Sequence, residues 1–172
     1  MALIKAVRGI EPHFGANCFL ADNATVVGEV VMGDNCTVWF NAVVRGDVHS
    51  ITVGDNTNIQ DGAIIHCTYQ KAKTVIGSNV SIAHNAIVHG CTIEDNVLIG
   101  MGAIVMDDAV IGSNSVIAAG AVVLSGTIVE PGSTYAGMPA KRIKDTSEEM
   151  KAVIIRTAKN YPMYAEWFKE EG

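Results

Sequence analysis

The 172-residue sequence is short of leucine, of aromatic rings and of positive charge. Four leucines stand against 39 valines and isoleucines. Branching at Cβ favours extended backbone, so a helical bundle is excluded for most of the chain. Aromatic residues make up 6%, too few for an ordinary sandwich core. Twelve Lys and Arg face 18 Asp and Glu, a net charge of −6. No basic face is therefore on offer to a nucleic-acid backbone. Long apolar runs are also missing, and Lys5 and Arg8 interrupt the first ten residues. That pattern predicts neither an export signal nor a membrane span, and hence a cytoplasmic protein. The four cysteines (Cys18, Cys36, Cys67, Cys91) form no Cys-x-x-Cys pair and are expected as reduced thiols, not as a disulfide framework.

What is abundant is a repeat of six. An apolar residue recurs at Phe14, Leu20, Val26, Met32, Val38 and Val44. The register jumps by nine to Val53, Ile59 and Ile65, and by eleven to Ile76, Ile82 and Val88. It then jumps by five to Ile93, Ile99, Val105, Ile111, Ile117, Val123 and Val129. Four places after each, Tyr69 excepted, stands a residue no larger than valine, such as Ala24, Cys36, Ala42, Ala63 or Ala103. Two phases held together at that period predict a coil with three short sides per turn. The branched residue fills the interior and the small one lets the chain turn beside it. Gly33-Asp34-Asn35, Gly54-Asp55-Asn56, Gly77-Ser78-Asn79 and Gly112-Ser113-Asn114 supply corner residues that tolerate left-handed backbone. Successive coils would stack as parallel β-structure at ~4.8 Å. An antiparallel barrel would instead show period two and hairpin dipeptides.

This pattern resembles the hexapeptide-repeat proteins over roughly residues 10–140. The resemblance implies a left-handed parallel β-helix, whose hand the periodicity alone does not give. Tyr135-Ala136-Gly137-Met138-Pro139-Ala140-Lys141 is similar to the ending of such helices. The expected organisation is a lead-in strand or loop at 1–13, the β-helix at 14–140 and a C-terminal helical segment at 141–172. In that segment Thr146 is expected as N-cap of a capping box with Glu149. Met150, Val153, Ile154, Ala158 and Tyr161 form one apolar stripe, and Pro162 is expected to kink or end the helix. Tyr164, Trp167 and Phe168 anchor the residues beyond that proline. The helix would lie along its own β-helix, or else bring Tyr161 or Tyr164 to a neighbour's site.

The register also sorts the histidines. Stacking every third hexad places Val44, Ile65 and Val88 on one face, so Arg45, His66 and His89 come next in successive coils. Two imidazoles one rung apart can meet one metal ion, since each Zn–N bond is ~2.0–2.1 Å. His84, two residues past Ile82, belongs to another side, so a neighbouring chain would have to bring it. That geometry argues for a three-fold ring of prisms in which His66 and His89 come from one chain and His84 from the next. Three imidazoles with an open position describe a catalytic zinc-type site, although Fe2+ or Co2+ would also suit them. The bland alternative is that each histidine is a hydrogen-bonded surface or interface group. His13 and His49 have no such partners and are expected as non-ligands. Cys67, beside His66, would point to the opposite side of its strand.

The same residues resemble the gamma-class carbonic anhydrases: Arg45-x-Asp47, Asn58-x-Gln60, then His66, His84 and His89. The resemblance implies a homotrimer with interfacial metal that hydrates CO2 reversibly to bicarbonate, a lyase acting on a small molecule. It implies that Arg45 and Asp47 pair across the interface, where an ordinary surface ion pair is the alternative. It implies that Gln60 orients the reacting water or bicarbonate, with Asn58 a weaker candidate; a plain outward polar role is the alternative. Val48 follows Asp47, and the loop Cys67 to Lys73 holds no carboxylate, so the glutamates that shuttle protons in archaeal relatives are missing and hydration is expected to be slow. Two other classes stay open: a hexapeptide-repeat acyltransferase using acyl-coenzyme A, and a non-catalytic metal-binding accessory trimer. No nucleic-acid or membrane partner is expected.

Overall fold

In the computed structural model, which describes residues 1–169, the chain winds into a three-sided parallel β-helix followed by one α-helix. The first face carries Leu3–Lys5, the start of Thr25–Met32, the start of Val43–Val53, then Ile64–His66, Ile87–His89, Ile104–Val105 and Val122–Val123. The second face carries His13–Phe14, the ends of the two long strands, then Thr74–Ile76, Thr92–Ile93, Val110–Ile111 and Ile128–Val129. The third runs from Phe19–Leu20 through Thr37–Val38, Asn58–Ile59, Ser81–Ile82, Leu98–Ile99 and Val116–Ile117 to Ser133–Ala136.

Each hexad supplies one side, and the predicted inward positions fill the bore. From Val26 to Val129 every one of them is buried; Phe14 and Leu20, at the open first coil, are half-buried against the same core. Full burial of a Val or Ile side chain is worth about 1.5–3 kcal/mol, so this column is the main stabilising term. The corner asparagines Asn35, Asn56, Asn79 and Asn114 take φ values between 53 and 59°, as the tripeptides predicted.

The three jumps in register are corners of unusual length. Gly28 pairs with Gly46, but Val30 pairs with Ile51, so residues 47–50 bulge from the corner between the first two faces. The jump of eleven is a loop after His66, closed by an antiparallel bridge between Thr68 and Ala72. The jump of five is a shortened corner at Gly90, with φ +56°.

Within residues 1–13, expected as a lead-in strand or loop, Leu3–Lys5 pairs with Thr25–Val27 on the first face. Several expectations need correction. Residues 141–172 are not helical throughout: Lys141–Asp145 forms an antiparallel strand on Ser133–Ala136, completing the third sheet. The helix α1 spans Glu148–Lys169, and its cap is Ser147, whose Oγ accepts the Met150 N–H at 3.2 Å. Thr146 instead turns inward, buried with its hydroxyl against that of Thr134. Pro162 does not end α1. The helix passes through it because packing offsets the missing backbone donor: Ile154, Ala158 and Ala165 are buried, and Tyr161 and Phe168 press on Trp39 with ring centroids 5.5 and 5.6 Å away. α1 therefore lies along the third face of its own chain, against Thr37–Val38 and Ser81–Ile82. Among the described residues no helix is long and apolar enough to cross a membrane.

Candidate metal centre

His66 and His89 end neighbouring strands of the first face, paired directly in register. Both residues come directly after a buried inward residue, so both rings stand outside the bore. His66 Nδ1 lies 3.1 Å from His89 Nε2. Two nitrogens on one tetrahedral ion, each at ~2.0–2.1 Å, are separated by ~3.3–3.4 Å, so the pair fits such an ion with little movement.

The other nitrogen of each ring is held by a carboxylate. His66 Nε2 meets Asp47 Oδ1 at 3.0 Å, and His89 Nδ1 meets Asp107 Oδ1 at 2.5 Å. Burial pushes the His66 pKa down and the nearby Arg45 charge adds to that, outweighing the raising effect of Asp47. The ring is therefore kept neutral, the form a metal requires. For Asp47, burial raises the pKa, but hydrogen bonds from His66 and Arg45 win and hold it below the usual carboxylate range. Asp107 is also lowered: burial opposes, while Thr68 and His89 donate to it.

His84 stands apart, in the turn after Ser81–Ile82, where its Nδ1 meets Asp61 Oδ2 at 2.9 Å. Among the described residues no three His, Cys, Asp or Glu side chains converge on one point. One chain thus offers a two-histidine half-site and, on another edge, a one-histidine half-site. Asn58 and Ser81 are paired in register, which puts Gln60 and Asp61 beside Ala83 and His84. Gln60 belongs with His84, not with the His66–His89 column. It is not a plain outward side chain either: it is buried and donates from Nε2 to Asn58 Oδ1 at 2.9 Å, while Asn58 donates to Ser81 Oγ at 2.8 Å.

Arg45 and Asp47 are brought together, but within one chain: Arg45 Nη1 donates to Asp47 Oδ2 at 2.6 Å. Within one chain this is the ordinary ion pair given as the alternative, and the pairing across an interface stays an expectation about a second copy. The bulge after Gly46 turns Asp47 back over the strand, within reach of both Arg45 and His66. His49 sits in that bulge, its Nδ1 accepting the Ser50 N–H, and shares a cavity of about 140 Å³ with Asp47, Glu29 and Arg8. Cys67 points inward, buried between Ser50 O and Thr74 Oγ1, and burial raises its pKa. Tyr161 is half-buried near the His84 edge; burial, then the charges of Asp61 and Tyr164, push its phenol up to about 12.

Asp61, Asp107 and Thr68 were not singled out from the sequence. The signal for the two carboxylates was nonetheless present. His66 and His89 are 23 apart, as are Asp61 and His84 (84 − 61 = 23), and Asp107 lies 18 past His89. Each interval is one turn of the coil, so the arithmetic that stacked the histidines also stacks their carboxylates.

The family model described as bacterial transferase hexapeptide (six repeats) matches residues 11–46 and 90–125. Over 150 residues the chain is 49% identical to a Methanocaldococcus jannaschii protein named "Probable carbonic anhydrase", covering 87% of this chain and 94% of that one. It is 45% identical over 160 residues to gamma carbonic anhydrase 3, mitochondrial, of Arabidopsis thaliana, covering 90% of this chain and 62% of that longer protein. A crystal structure of a hexapeptide transferase family protein from Anaplasma phagocytophilum superposes with a TM-score of 0.92 at 38% identity, covering 96% of this chain and 98% of that one. With a bore of hexads, a corner asparagine column and relatives of this likeness, the chain belongs to the gamma-class carbonic anhydrase-like proteins of the hexapeptide-repeat superfamily and folds as their left-handed parallel β-helix.

Proposed function

We propose that the protein is a metal-dependent lyase interconverting CO2 and bicarbonate, with its sites between the subunits of a homotrimer. One observation carries the reading. Two imidazoles present nitrogens 3.1 Å apart while carboxylates hold their far sides, and a third histidine with its own carboxylate waits on a separate edge. His66 and His89 of one copy, with His84 of a neighbouring copy, would hold Zn2+, or Fe2+ or Co2+, ions that imidazole ligands suit. Such an ion would supply a Lewis acid that lowers the pKa of a water molecule to roughly 7.

The chain's own residues do the rest. Asp47, Asp61 and Asp107 orient the three rings, and Arg45 keeps Asp47 ionised. Gln60, on the same edge as His84, would accept a hydrogen bond from water or from the bicarbonate hydroxyl through Oε1, since Nε2 is engaged by Asn58. Its bond to Asn58 fixes which end of the amide faces out. The exposed apolar side chains Ile64 and Met106 flank the half-site and offer a wall against which CO2, which has no hydrogen to donate, is not disfavoured.

Hydration releases one proton for each bicarbonate, and that proton must leave. The carboxylates closest to the half-site, Asp47 and Asp107, are already engaged by His66, Arg45, Thr68 and His89. Buffer is therefore expected to carry the proton, giving a kcat that rises with imidazole concentration and a kcat/KM that does not. Anaerobic purification with metal quantification, followed by a CO2-hydration assay on the same sample, tests the proposal. Metal well below one ion per chain, or a monomer at working concentration, would overturn it.

A second reading is an acyltransferase using acyl-coenzyme A, favoured by the likeness to a hexapeptide transferase family structure; a third is a non-catalytic metal-binding trimer. His89→Ala separates them. It abolishes metal uptake and hydration together in the first case and leaves coenzyme A binding intact in the second. In the third, metal is lost with no hydration to lose.

A further inference from the structure

Of the three carboxylates behind the histidines, Asp107 ties the ring of one to the loop that follows another. It lies just past the strand Ile104–Val105, one coil beyond His89. Its Oδ1 faces His89 Nδ1 at 2.5 Å, and its Oδ2 accepts the Thr68 hydroxyl at 2.5 Å. Thr68 opens the loop after His66 and is pinned there by its bridge to Ala72. A single carboxylate therefore links the ring of His89 to the segment leaving His66. A cavity walled by Ile87, Ile104 and Met106 borders the pair, and that apolar flank strengthens the charge-assisted bonds.

The chemistry of this contact fixes a proton. An ionised carboxylate only accepts hydrogen bonds, so His89 must carry its proton on Nδ1. Nε2 is then left with its lone pair facing His66, the side on which a cation would be shared. Which ring nitrogen ligates is set by the hydrogen bond that the other one makes.

We infer that Asp107, itself held by Thr68, is the positioning residue that locks His89 in the Nδ1-protonated form and so presents Nε2 to a divalent cation. The inference rests on the metal-site reading above but assigns this chain a component outside the three histidines.

The test uses the full chain, stripped of metal and labelled with 15N in its imidazole rings. At a pH of about 8.5, above the ordinary histidine range, ring NMR is expected to show His89 protonated on Nδ1 in the wild type. In Asp107→Ala the proton redistributes toward Nε2. The same samples, titrated with Co2+ against a competing chelator, are expected to lose roughly 10–100-fold in affinity on Asp107→Ala. Thr68→Val, which only loosens the carboxylate, loses less. Matching thermal melts of the metal-free proteins separate positioning from a structural defect, since a structural role would lower the melt and leave the tautomer alone. An unchanged tautomer or an unchanged Co2+ affinity in folded Asp107→Ala overturns the inference while the metal site stands. Should Asp107→Ala fail to fold, unchanged affinity in Thr68→Val overturns it instead. A wild-type protein that takes up no Co2+ removes the metal site and this inference together.

Discussion

Gly28 and Gly126 offer a controlled comparison of what close stacking costs. Both have left-handed backbone, with φ +77 and +71°, so alanine at either position is strained by about 1–2 kcal/mol. They differ in space. A Cβ on Gly28 would stand 2.3 Å from Gly46 O and 2.6 Å from Gly46 C, backbone atoms of the next coil that have no rotamer to change. A Cβ on Gly126 meets nothing within 4 Å. Overpacking adds about 1–3 kcal/mol. Gly126→Ala should therefore cost ~1–2 kcal/mol and Gly28→Ala ~2–5 kcal/mol, from the strain and overpacking terms together. For a chain of this length 1 kcal/mol corresponds to about 2–4 °C in Tm. Urea unfolding monitored by the fluorescence of buried Trp39, with a parallel thermal melt, measures both variants. The comparison also reaches the site, because Gly46 sits between Arg45 and Asp47, so displacing it moves the carboxylate that holds His66. Gly28→Ala should weaken Co2+ binding and Gly126→Ala should not. Equal losses of stability in the two variants would refute the reasoning, since strain alone would then account for both.

The same structure makes other outcomes measurable. The Tyr161 phenol, raised to about 12, should be absent from the ordinary tyrosine titration when wild type is compared with Tyr161→Phe by near-ultraviolet absorbance. Because its folded pKa lies above the unfolded value of ~10, its contribution to stability is complete below that pH and is lost as pH rises toward about 12; a titration at the free-tyrosine value would contradict the packing. Burial pushes the Cys91 thiol to about 12, so native protein near pH 8 should leave Cys91 unmodified by a disulfide reagent that labels all four thiols after unfolding. Rapid labelling of Cys91 in the native state would count against the closed bore. Ser147→Ala removes the cap of α1 and should cost about 0.5–2 kcal/mol in urea unfolding; no change would return the cap to another residue.

The interior was legible because its code is redundant. A branched residue every six places, with a small one four places later, has few other three-dimensional solutions, and Val26 through Val129 occupy the bore as read. The histidine column was legible for the same reason: once the coil length is known, His66 and His89 must be neighbours. Errors arose where the period stops. Thr146 and Ser147 are equally good caps on paper, and only the burial of Thr146 against Thr134 decides between them. Pro162 forbids one backbone bond, but the aromatic contacts of Tyr161 and Phe168 with Trp39 lie far apart in sequence and hold the helix through it.

The order of residues alone determined the prism, its stacking interval and which side chains share a rung, because a coil of fixed length converts sequence separation directly into position. Only the folded chain decided which atoms meet. Asp47, Asp61 and Asp107 take one nitrogen from each of three histidines, and the remaining nitrogens of His66 and His89 face each other. That choice depends on ring rotation, corner shape and the direction of single hydrogen bonds, none of which a spacing rule carries.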